Sequence, residues 1–245
     1  MEHLILLLTL TGAVIGAEHN AFTVPDSLRN PTACNAKKRG FVCDPDGLLI
    51  DSSKKTDGST LLNNAIENVR ATDVCPCSDC LLFSGTAISV VVVQKIKMAF
   101  NETSREIILK AMKKFANDIR TRQARGLCDD DILIAVSIDD NEVQTSYGQR
   151  LNIRLNDTIV KEIANIAKQD FDKRNWTNGL LSMINNYGSI LRNGTLAVRR
   201  SGTHWYSPLP LCVVICGAVL IAAIVAALVI GLISCRNGRR YSAVI

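Results

Sequence analysis

CDDDILIAVSIDDNEVQTSYG, residues 128–148, is the stretch from which the fold is read. Ile132–Ile138 is an apolar run of strand length, closed by Asp139-Asp140-Asn141, all turn formers. Val143 and Thr145 resume an alternating pattern, so the stretch predicts a strand, a tight turn and a return strand. Upstream, Ile88–Val93 is a β-branched run of the kind buried on both faces of a sheet. Between the two runs, Ile107, Ile108, Ala111, Met112, Phe115 and Ile119 keep helical spacing and predict a long amphipathic helix with a basic opposite face, its capping box opened by Thr103 with Glu106. Phe41–Ile50 reads as a strand broken by the turn Asp44-Pro45-Asp46-Gly47. Leu61, Leu62, Ala65, Ile66 and Val69 follow at helical spacing. Two more helical stripes come later, Ile159, Ile163, Ile166 and Phe171, then Leu180, Leu181, Ile184 and Ile190. Strands alternating with helices predict an α/β domain, a sheet covered by helices.

The flanks of this domain point to a membrane. Leu209–Ile233 carries no charged side chain, and a helix of that length spans about 37 Å, enough for a hydrocarbon core of about 30 Å. Arg236, Arg239 and Arg240 follow it and mark a cytoplasmic side, while Trp205 and Tyr206 precede it at headgroup level. Leu4–Ile15 is a short apolar region ending at the small residues Gly16 and Ala17, as in a secretory signal. Met1, Glu2 and His3 supply no basic residue, which keeps an uncleaved anchor as the alternative. The expected organisation is a signal peptide at 1–17, an extracellular domain at 18–197, a stalk at 198–208, one transmembrane helix at 209–233 and a cytoplasmic tail at 234–245. That is a type I, single-pass protein of the plasma membrane.

Charge narrows the partners. Of the 28 Lys and Arg, three follow the apolar segment, and of the 23 Asp and Glu only Glu2 precedes residue 18, so the extracellular part is nearly balanced and nucleic acid is not an expected partner. Of nine cysteines, Cys34, Cys43, Cys75, Cys77, Cys80 and Cys128 lie outside, an even set in an oxidising space. The cluster Cys75-Pro76-Cys77-Ser78-Asp79-Cys80 could ligate zinc, but no second Cys/His pair stands at finger-like spacing and secretion favours bridges. The pairing itself stays open. Cys235, at the cytoplasmic edge, is a lipidation candidate beside its reading as an ordinary thiol. Sequons at Asn101, Asn156, Asn175 and Asn193 suit an external domain, with Asn156 also placed to cap a helix. The apolar C-terminus Ala243-Val244-Ile245 could enter a PDZ domain by β-augmentation.

Catalytic signals are sparse. His3 leaves with the signal, and His19 and His204 sit in terminal or stalk segments, which speaks against a hydrolase that needs a core-held imidazole. No phosphate-cradling or dinucleotide motif is present. The remaining chemistry is acidic: Asp44 and Asp46 flank a turn after one strand, and Asp129, Asp130 and Asp131 enter another. If those ends converge, the five carboxylates could hold Ca²⁺ or Mg²⁺, against the plainer reading of solvated strand-end turns and no cofactor.

The segments FVCDPDGLL (Phe41–Leu49), CPCSDC (Cys75–Cys80), GLCDDDILIAVSIDD (Gly126–Asp140), TSYG (Thr145–Gly148) and WTNGLLSMI (Trp176–Ile184) together resemble a TPM domain. More narrowly, the chain is similar to the nematode branch named after the modulator of levamisole receptor. The resemblance covers about residues 22–195. It implies an α/β/α sandwich and an auxiliary, non-pore subunit that binds and positively modulates acetylcholine-gated Cys-loop receptor subunits, at synapses. Distant plastid and bacterial relatives are associated with phosphatase activity and metal binding. Here their glycine-rich pattern before the second main strand is replaced by Cys128 and three aspartates, so the resemblance implies no enzyme. A metal-assisted phosphatase and a general adhesion ectodomain are the alternatives.

Overall fold

In a computed structural model of the protein, residues 17–51, 56–73, 76–77, 85–98 and 104–196 are described. The chain divides into two units between residues 197 and 198, and every described residue belongs to the first. The stalk, transmembrane and tail assignments, and all but the last residue of the signal, lie outside the described residues. Among the described residues no helix is long and apolar enough to cross a membrane.

The elements in chain order are β1 (Glu18–His19), β2 (Val42–Cys43), β3 (Ile50–Asp51), β4 (Thr56–Asp57), α1 (Gly58–Thr72), β5 (Ala87–Val93) and β6 (Lys95–Ile96). They continue with α2 (Arg105–Gln123), β7 (Asp131–Ser137), β8 (Glu142–Tyr147), α3 (Asp157–Asp172) and α4 (Trp176–Asn193). A four-stranded sheet has the order β2-β5-β7-β8. β2, β5 and β7 run parallel, with Val42 beside Val90 and Val90 beside Ile134; β8 returns antiparallel, with Val136 beside Val143. Both central strands are buried along their whole length, as parallel strands covered on two faces must be, and this is why they read as unbroken apolar runs.

Strand alternation sorts the core into two layers. Val42, Ile88, Val90, Val92, Ile132, Ile134 and Val136 face Leu62 and Ile66 of α1, Ile163 and Ala167 of α3, and Leu180 and Ile184 of α4. Cys43, Val91, Val93, Leu133 and Ala135 face Met112, Phe115, Ala116 and Ile119 of α2. The expected α/β/α sandwich is what these layers form. Each aliphatic side chain fully buried there contributes roughly 1.5–3 kcal/mol over leaving it in water.

Helix starts follow local chemistry. Asp57 accepts from Thr60 N–H at 3.2 Å at the head of α1, and Asn156 accepts from Ile159 N–H at 2.9 Å at the head of α3, the cap expected of it. The cap residue of α2 is Ser104, not Thr103, which lies outside the described residues. Two disulfides are formed among the described residues, Cys34–Cys43 and Cys77–Cys128. Cys75 and Cys80 lie outside them.

Candidate functional site

The five carboxylates expected to meet do not. Asp44 follows the C-terminal end of β2, whereas Asp129–Asp131 precedes or opens β7, and the two strands are parallel. Through the register Cys43–Val91–Ala135, Asp44 stands about five residues further along the sheet than Asp131, or about 16 Å at 3.3 Å per residue. The two acidic groups therefore occupy opposite ends of the sheet and cannot share one cation.

Each group has a structural employment. Asp44 is fully buried; its Oδ1 accepts from Leu48 N–H and its Oδ2 from Leu49 N–H, both at 2.8 Å, closing the turn after β2. Burial pushes its carboxyl above the usual carboxylate range, against the pull of those two amides. Asp44→Ala leaves both N–H groups without an acceptor, and we expect a loss of about 1–3 kcal/mol in denaturant unfolding. A variant as stable as the parent would show that the turn holds itself. Asp46 accepts from Gln94 N–H at 2.7 Å and lies 3.0 Å from His19 Nε2. His19 is thus held in the fold, since β1 pairs with β6 and its side chain is only 13 % exposed, contrary to the expectation that a histidine in a terminal segment is not core-held. Among the described residues its ring meets a carboxylate and no hydroxyl or thiol, so no nucleophile–base pair forms there. Asp139 and Asp140 join the same sheet end, bonding Gln94 Nε2 and, through Asp140, Ile96 N–H and Ser137 Oγ.

At the opposite end Arg120 gathers the acids. Its Nη1 donates to Asp129 Oδ1 at 2.6 Å and to Asp131 Oδ1 at 2.7 Å, and its Nε to Ser146 Oγ at 3.1 Å. Gln149 N–H, then Arg120, hold the Asp129 carboxyl below the usual range. The backbone passes close here: a Cβ on Gly148 would run into the carbonyl of Asp129, which explains the glycine that closes TSYG. Among the described residues, one set of three metal-ligating side chains has its donor atoms within 4.8 Å of one another: Cys77, Cys128 and Asp130. Two of the three are joined as a disulfide and offer no thiolate. The donor set does not suit Ca²⁺ or Mg²⁺ either, which take oxygen.

The sequons differ in access. Asn156 and Asn193 are exposed, Asn175 is half-buried and accepts from Asn178 N–H at 3.4 Å, and Asn101 lies outside the described residues, as does Cys235.

The sequence pattern does not record an apolar groove beside α2. Between the N-terminal segment and α2 runs an open groove of about 660 Å³ with Ile96, Met98, Ala111 and Phe115 on its apolar floor. Lys97, Lys110 and Lys114 line its rim, all exposed, against one acid, Asp118, which lies 2.5 Å from Lys114. Phe22, at its edge, is 79 % exposed. A large aromatic ring left in water beside an apolar channel marks an interaction surface rather than a core. The basic face of α2 was the signal for it; the contribution of residues 20–22 depends on the β1–β6 pairing.

A family model described as modulator of levamisole receptor-1 matches residues 19–141, half of the chain. The matched segment runs from β1 to the β7–β8 turn and contains both disulfides and the groove. Among solved structures, the chain is similar to the N-terminal domain of a protein from P. gingivalis, with 14 % identity, a TM-score of 0.50, and 71 % of this chain and 92 % of that one covered. It is also similar to the BA42 protein of the psychrophilic bacterium Bizionia argentinensis, at 16 % identity, TM-score 0.40 and coverage of 57 % and 81 %. A third is the N-terminal domain of the cg2496 protein from Corynebacterium glutamicum, at 15 %, 0.38, 58 % and 74 %. At such identities the first of these likenesses speaks to fold alone. No curated protein matches the chain.

Proposed function

The chain belongs to the modulator of levamisole receptor-1 family, and on that premise we propose that it is an auxiliary, non-pore subunit that binds an acetylcholine-gated Cys-loop channel and raises its response. The family match over residues 19–141 is the observation that carries this reading. The segment 209–233 would hold the domain beside the channel as a single-pass type I membrane protein, with the α/β/α domain outside. Physically, such a subunit shifts gating only by the difference in its affinity for the open and closed channel.

The groove beside α2 supplies the contact. Its lysine rim and apolar floor fit a receptor segment with acidic residues flanking an apolar centre, and the rim charges speed and orient the encounter. Metal-assisted phosphate chemistry has no comparable support, because its expected ligands stand at opposite ends of the sheet. To test the docking face, full-length protein is co-expressed with acetylcholine-gated receptor subunits and captured from solubilised membranes. Reversing Lys97, Lys110 and Lys114 to Glu should abolish co-purification of the receptor while leaving the circular dichroism spectrum unchanged. Undiminished capture by a folded triple variant would place the contact elsewhere.

A further inference from the structure

A second cavity, away from the groove, contains donor groups left without hydrogen-bond partners among the described residues. It has a volume of about 370 Å³ and lies where the end of α1, the start of β2 and the loop after α2 meet. Arg70, Gln123 and Arg125 line it, and each carries a buried donor nitrogen with no hydrogen-bond partner among the described residues: Arg70 Nε, Gln123 Nε2 and Arg125 Nη1. Native structures leave only a few such groups unpaired per ~100 residues, and here three belong to the wall of one cavity.

The three are not loosely placed. Arg125, with its side chain only 3 % exposed, donates through Nη2 to Asp26 Oδ1 at 3.0 Å and Ser27 Oγ at 3.1 Å. Its Nε donates to Gln123 Oε1 at 2.9 Å, which fixes the amide and leaves Gln123 Nε2 beside it with no partner among the described residues. Arg70 stacks on one side of Phe41, its Cζ 4.5 Å from the ring centroid, and Arg125 lies 5.6 Å from the same centroid. Among the described residues, Arg70 Nη1 has one acidic neighbour, the exposed Glu67, at 3.8 Å. Two guanidinium groups are thus held by one aromatic ring, with an amide locked alongside.

We propose that this cavity is a binding site for a small organic carboxylate, held by Arg70, Gln123 and Arg125. The chemistry of the wall decides the class: Arg29, Arg70 and Arg125 stand against Asp26 and Asp130, a surplus of one positive charge that suits a single carboxylate. Planar guanidinium donors suit the planar carboxylate, and Leu28, Phe41, Ala87 and Leu127 offer apolar contact to the rest of the molecule. The volume lies at the small end of the usual range for ligand sites.

The test uses full-length protein in detergent, titrated calorimetrically with sodium benzoate and, separately, with inorganic phosphate. Benzoate should bind saturably at one site. Arg70→Gln, which keeps the stem but removes the charge, should weaken it by at least tenfold, as loss of a charge-assisted hydrogen bond does. Gln123→Leu should weaken it as well, and serves alone if Arg70→Gln melts early. Saturable benzoate binding lost in either folded variant supports the site. Absence of benzoate binding up to about 10 mM (about −3 kcal/mol), binding of phosphate in preference to benzoate, or binding indifferent to both substitutions would each overturn it.

Discussion

Replacing Arg120 by methionine should lower the unfolding free energy by about 3–5 kcal/mol, the usual cost of stranding a buried charge. Asp131 is the reason: its side chain is 4 % exposed and its Oδ1 accepts from Arg120 Nη1 at 2.7 Å. Methionine keeps the apolar packing of α2 against the sheet and removes only the guanidinium. The same loss removes the donor to Ser146 Oγ on the edge strand β8, which keeps its bond to Asn117 Oδ1 at 3.3 Å, so α2, β7 and β8 are all affected. Asp131→Asn added to the methionine variant should recover part of the stability: Arg125 N–H, 3.3 Å from Asp131 Oδ2, is the remaining donor, and a buried amide short of partners costs less than a carboxylate. Denaturant titration of the single and double variants measures this; an Arg120→Met protein within about 0.5 kcal/mol of the parent would show that water already compensates Asp131. Asp129, by contrast, keeps its contact with Gln149 N–H, at 2.7 Å. Because its folded pKa is depressed, its contribution is present above the ordinary aspartate pKa and is lost as pH falls through the folded value.

The two bridges should differ in their worth. Cys77–Cys128 closes a separation of 51 residues and Cys34–Cys43 one of 9. Loop-closure entropy then assigns about 4 kcal/mol to the long bridge and about 2.6 kcal/mol to the short one. Changing both cysteines of a pair to serine, and following thermal unfolding under non-reducing conditions, should give the larger fall for Cys77/Cys128. That bridge ties the segment after α1 to the loop after α2, next to the arginine-lined cavity. Equal losses, or a larger one for Cys34/Cys43, would mean that strain or residual unfolded structure outweighs chain entropy.

The parts of the fold legible in the sequence were those governed by a single physical rule. Ala87–Val93 and Asp131–Ser137 announced themselves because strands buried on both faces need apolar side chains at nearly every position. The four helices showed through their 3.6-residue stripes, and Asp139-Asp140-Asn141 marked the hairpin, with Asn141 in the left-handed region at φ 48°. The two-residue strands β1 and β6 were invisible, since two residues carry no period, and with them went the burial of His19 and the placing of Phe22. The acidic site failed for a reason that strand direction could have supplied. A loop after one strand and a loop before its parallel neighbour lie at opposite ends of a sheet. Asp44 and Asp131 therefore could not meet once β2 and β7 ran the same way. The arginine-lined cavity depends on residues 70, 123 and 125 meeting across helices, which no local pattern records.

Current recording tests the central claim most directly. Oocytes expressing acetylcholine-gated receptor subunits are compared with oocytes that also express this protein at the surface, at one agonist concentration below saturation. The account predicts a larger agonist-evoked current with the protein present, and a return to the receptor-only current when Lys97, Lys110 and Lys114 are reversed to Glu. Currents identical with and without the protein, from cells in which it reaches the surface and no receptor co-purifies with it, would contradict the account.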